Sequence, residues 1–196
     1  LVWFWDKEGF SHVNSGKGGF LFEGDFGQTT LLSDATWKTQ PHPAYEHSTT
    51  GGQPNMRLPV WNIRFNAVND TLNGWQNQGY DDSGWKQAIA KGTPPSLPWK
   101  TMVERPFPQW TNSGLQLYEG HKMTEKDGHT IVEATLPYDA RVTAYLKVKA
   151  PAGKLIRIQT DQYDGWLDFN EGPANRVEYL TKEGLNEFET YAWMSG

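Results

Sequence analysis

The sequence predicts an all-β chain built of two antiparallel β-sandwich modules, and three observations carry that expectation. Apolar residues recur with period two in the C-terminal third, as in "RVTAYLKVKA" from Arg141. Clusters of Gly, Pro, Asn, Asp and Ser punctuate short apolar runs along the whole chain. No long stretch shows the three-to-four spacing of an amphipathic helix.

In the N-terminal half, "GGFLFEGDF" from Gly18 and "TTLLSD" from Thr29 read as strands. Gln40 to Leu58 is rich in Pro, Gly, His, Ser and Thr and is expected to be a long loop. No helix of ten or more residues is expected, "SGWKQAIAK" from Ser83 having room for one short turn at most. The breaker clusters "GTPPSLPW" from Gly92 and "RPFPQW" from Arg105 place a domain boundary near Glu104, with residues 1–104 forming one sandwich and 105–196 a second.

Beyond that boundary "TIVEATL" from Thr130 is a strand. In the strand from Arg141, Val142, Ala144, Leu146, Val148 and Ala150 share one face, with Arg141, Thr143, Lys147 and Lys149 on the other. "PAG" at Pro151 is a turn, so "KLIRIQT" is expected to fold back on that strand as a hairpin. "RVEYLT" and "NEFETYAWM" flank "KEGL" and read as a second hairpin turning at Gly184.

Composition narrows the function classes. The chain has 196 residues with 18 basic and 23 acidic side chains, a formal charge of −5, and no run of Lys or Arg able to neutralise successive phosphates. Nucleic acid is therefore not expected as a partner. Cysteine is absent, which removes disulfide and thiolate chemistry. No apolar run approaches the roughly 20 residues of a membrane-spanning helix, so no membrane partner is expected. The chain opens on "LVWFW", without a methionine or a basic leader, and stops while the strand pattern of "NEFETYAWMSG" still runs. A segment of a longer protein is the expectation.

Several clusters invite a chemical role. Asp81 and Asp82 in "NGWQNQGYDDSGWKQA" have the look of paired acids, yet Asp-Asp-Ser-Gly also supplies every group of an Asx-type turn, and the turn is the stronger expectation. "DQYDGWLDFNEG" gathers Asp161, Asp164, Asp168, Asn170 and Glu171 around Tyr163 and Trp166. Hard oxygen ligands suit calcium and aromatic rings suit sugars, making this loop the leading candidate for a metal or carbohydrate site. Trp75, Trp99 and Trp110, near Gly or Pro in expected loops, are further candidates for stacking on carbohydrate. Trp37, Trp61, Trp85 and Trp193 fall beside strand-like runs and are expected to pack. His42, Glu46 and His47 match no established metal spacing, and Asn69 heads a glycosylation sequon.

"SDATWK" at Ser33, "GYDDSGWKQA" at Gly79, the crossing "VERP" and the "APAGKLIRI" segment occur in an order and spacing that resembles the β-sandwich modules of bacterial α-L-rhamnosidases, glycoside hydrolase family 78. Two departures stand out: "YDARVTAYLKVK" keeps Asp139 without the family's usual glycine, and Asp161 stands where a glutamate is common. The resemblance implies galactose-binding-like jelly rolls, the first incomplete at its N-terminus, that precede an (α/α)6 barrel carrying the hydrolytic carboxylates. It implies carbohydrate and that barrel as partners, an inverting reaction in the parent enzyme, and a periplasmic or extracellular setting. No catalytic residue of this chain is assigned by it and no cofactor is expected; calcium is a candidate ligand at the Asp161 loop, against the alternative of a solvated interdomain loop.

Overall fold

The computed structural model describes residues 19–47, 63–93, 95–97, 103, 106–109, 111–136, 141–159 and 176–195. Along them run β1 (Glu23–Asp25), β2 (Thr30–Leu32), β3 (Lys38–Thr39), β4 (Tyr45–His47), β5 (Ile63–Asn66), β6 (Lys86–Gln87), β7 (Gly120–Lys126), β8 (His129–Thr135), β9 (Arg141–Ala150), β10 (Leu155–Gln159), β11 (Arg176–Leu180) and β12 (Gly184–Ser195). A 3-10 turn, Ala67–Asn69, follows β5, with the Asn66 side chain accepting from the Val68 N–H at its start. The regular elements of the described residues are thus nearly all strands, as the periodicity predicts.

One local expectation is corrected. The stretch expected to be a loop from Gln40 carries β4, because Tyr45, Glu46 and His47 pair with Phe65, Arg64 and Ile63. The short turn open to the stretch from Ser83 is a single hydrogen-bonded turn, Trp85 N–H to the Asp82 carbonyl at 3.0 Å, and the chain then enters β6 and not a helix. Lys86 and Gln87 pair with Thr39 and Lys38, and long-range pairing wins over a local turn too short to nucleate a helix.

Both expected hairpins are also corrected. β9 pairs antiparallel with β12, and β10 with β11. Residues 141–159 and 176–195 are therefore the two legs of one long ribbon, bent between Ala150↔Gly184 and Leu155↔Leu180. At the bend the turns grip each other. Gly153 N–H donates to the Thr181 carbonyl at 2.8 Å, Thr181 N–H to the Lys154 carbonyl at 2.9 Å, and the Thr181 hydroxyl to the Pro151 carbonyl at 2.6 Å. Pro151 supplies no N–H to a ladder, and Gly184 sits at φ 88°, where a side chain would be strained. The fully buried Asn186 locks the corner: its amide donates to the Lys182 and Gly184 carbonyls, and its oxygen accepts from the Lys182 N–H and the Tyr179 hydroxyl.

A four-stranded sheet in the order β10-β11-β5-β4 forms the centre. Its β5–β11 pair is parallel, and it takes two strands from before residue 104 and two from after it. Hydrogen bonding therefore runs across the position where the sequence places its breaker clusters. On the inner face Tyr45, Phe65, Tyr179 and Ile156 lie in one cross-strand row, and Ile63, Val177 and Ile158 in the next. Phe65 stacks on Tyr179 at 5.7 Å, and Phe188 from β12 closes on both rings at 4.7 and 5.1 Å. Val142, Ala144 and Leu146 of β9 pack on the same cluster, the face that period two assigns them. Each large ring buried here stabilises the fold by about 1.5–3 kcal/mol.

The opposite face carries charge. Glu46, Arg64, Glu178 and Arg157 occupy one row across all four strands, so negative and positive groups alternate. Arg64 Nε meets Glu46 Oε2 at 3.0 Å, Arg64 Nη1 meets Glu178 Oε2 at 3.4 Å, and Arg157 Nε meets Glu178 Oε1 at 3.2 Å. Glu178 is 0% exposed, so its charge requires this compensation. Elsewhere β7 and β8 form a separate hairpin, turned by Asp127 and Gly128 at φ 52° and 75° as a two-residue connection demands.

Candidate functional site

The two motifs "SDATWK" and "GYDDSGWKQA" fold into one hydrogen-bonded corner. Ala88 N–H donates to the Trp37 carbonyl at 2.7 Å beside the β3–β6 pair, and Lys38 Nζ reaches Asp82 Oδ1 at 2.6 Å. Asp34 closes its own turn by accepting from the Thr36 hydroxyl and N–H, which holds its carboxyl below the usual range. Asp81 repeats the device: Ser83 N–H donates to Oδ1 at 3.0 Å, and that bond, helped by the Ser83 hydroxyl, holds the Asp81 carboxyl below its ordinary value. Trp37 sends its indole N–H to the Leu32 carbonyl at 2.7 Å and packs on Phe20 and Phe22. Trp85 meets Tyr80 edge-on at 5.9 Å.

This geometry decides what the adjacent aspartates can do. A glycosidic acid must hold its proton near neutral pH, and its partner must face it across a sugar ring. Asp81 is stabilised as the anion by its turn, and Asp82 is tied to an ammonium. Both serve the corner.

A second cluster joins a histidine, a phenol and a carboxylate at one end of the core. Ala44 N–H donates to His42 Nδ1 at 3.3 Å, which leaves the proton of the neutral ring on Nε2. That nitrogen lies 3.8 Å from Asp70 Oδ1, within ion-pair reach and too far for a hydrogen bond. Asp70 Oδ1 is buried and has no hydrogen-bond partner among the described residues. Burial first, and then the Asp70 charge, push the Tyr45 phenol up to about 12, and the same two causes raise Tyr179. His42 packs edge-on against Tyr45 at 5.1 Å. A metal would need the Nε2 lone pair, and a ligand hydroxyl would need room beside an oxygen that has no accessible surface. The cluster is a half-buried polar end of the core.

The sequence-derived site residues distribute as follows. Trp75 is half-buried, and its backbone N–H donates to the Leu72 carbonyl at 3.0 Å. Trp99, Trp110, Tyr163 and Trp166, together with Asp161, Asp164, Asp168, Asn170 and Glu171, lie outside the described residues, as does Trp61. His42 and Glu46 are not brought together: the first faces Asp70, whereas the second pairs with Arg64 and accepts from Asn66 and Asn69. Among the described residues no three His, Asp or Glu side chains converge as a metal set. Asp70 and Glu178 escape a reading of the sequence. Asp70 is the unspecified middle residue of the Asn69 sequon and Glu178 one position of an expected strand, and only the fold places the first beside His42 and the second between two arginines.

Comparison with protein-family models, with curated proteins and with solved structures finds no significant match to this chain.

Proposed function

We propose that this chain is the non-catalytic β-sandwich portion of a multidomain glycoside hydrolase of the α-L-rhamnosidase kind, the hydrolytic carboxylates belonging to an (α/α)6 barrel of the same parent. The observation that supports this most is the state of Asp81 and Asp82. The one adjacent acid pair of the resembling motifs is committed to a turn and to Lys38. The interlocking of "SDATWK" with "GYDDSGWKQA" supports a structural purpose for both. The bent ribbon, which carries Phe188 of β12 onto the β5 and β11 rings, supports a jelly-roll arrangement. Glycan hydrolysis by such a parent accords with a periplasmic or extracellular setting.

The test is turnover of a chromogenic α-L-rhamnoside by the purified chain. The expected result is a rate equal to that of buffer. Hydrolysis that disappears in Asp81→Asn or Asp82→Asn would contradict the proposal.

A second reading, a carbohydrate-binding module, is favoured by aromatic surface. Phe26 is 66% exposed beside the Phe20, Phe22 and Trp37 cluster, and Trp75 is half-buried. In that reading Tyr163, Trp166 and the acidic residues from Asp161 to Glu171 supply stacking and calcium ligands.

A further inference from the structure

We draw no further inference here: the strongest candidate, the exposed face of the β7–β8 hairpin where Met123 and Val132 pair, carries nothing because nothing in the structure shows what covers it.

Discussion

Arg64 on β5 and Glu178 on β11 stand 114 residues apart in the chain and meet at 3.4 Å on the outer face of the central sheet. The contact fastens the parallel β5–β11 pair, the joint between the N-terminal strands and the ribbon. Because Glu178 is fully buried, removing a compensating guanidinium leaves an anion that water cannot reach. Arg64→Met is expected to lower unfolding free energy by about 2 kcal/mol, discounted because Arg64 is partly exposed and Arg157 remains. Lys122→Met, at the exposed 3.9 Å pair with Glu133, is expected to cost less than about 0.5 kcal/mol. Urea denaturation of the two variants measures the difference, and equal effects would contradict the role given to the row.

The ribbon corner makes its own prediction. Asn186→Ala strips partners from the buried Tyr179 hydroxyl and from two backbone groups of Lys182, and is expected to destabilise by about 2–3 kcal/mol. Leu185→Ala, next to it on the exposed side, should cost far less. Thermal unfolding followed by circular dichroism separates the two.

Alkaline pH should destabilise the fold through Tyr45. Its phenol keeps the proton to about 12 in the folded chain, against 10.0 for a free tyrosine. The unfolded chain therefore ionises first, so the stabilisation is complete below pH 10 and is lost as pH rises through about 12. Tyr45→Phe should flatten that part of the stability profile. Asp70→Asn should move the phenol part of the way back, since burial is the larger cause and the Asp70 charge the second. Ultraviolet titration of tyrosinate in the variants reads both effects.

At the motif corner the expected effects are small. Asp82→Asn removes an exposed ion pair with Lys38 and should change stability by less than about 1 kcal/mol. Asp81→Ala removes an exposed Asx-turn acceptor and should lower the unfolding midpoint only slightly. Loss of folding in either variant, seen by circular dichroism, would show that the corner does more than close a turn.

The strands from Thr130 onward were legible in the sequence, whereas β3 to β7, the central strand β5 among them, and the strand partners were not. The period-two run from Arg141 marks β9 and assigns Val142, Ala144 and Leu146 to the core side, where they are found. The same periodicity is silent about neighbours. A strand's alternation reports its faces, and a short connection such as Pro151 to Lys154 can turn a chain across to another sheet as readily as back on itself. The Asp81 turn was legible because Asx chemistry is local. Strand β7 carries no clear period-two pattern of its own, although Asp127-Gly128 marks the turn that follows it. The His42 and Asp70 encounter was not legible, since it depends on how β4, β5 and the 3-10 turn are assembled.

The measurement that tests the central claim most directly is calorimetric titration of the chain with L-rhamnose and a rhamnose-containing oligosaccharide, with calcium present and then chelated. A structural portion of a glycosidase predicts no binding heat at millimolar ligand in either condition. Saturable heat that is abolished by Trp166→Ala or by chelation would contradict it, and would make the chain a carbohydrate-recognition module.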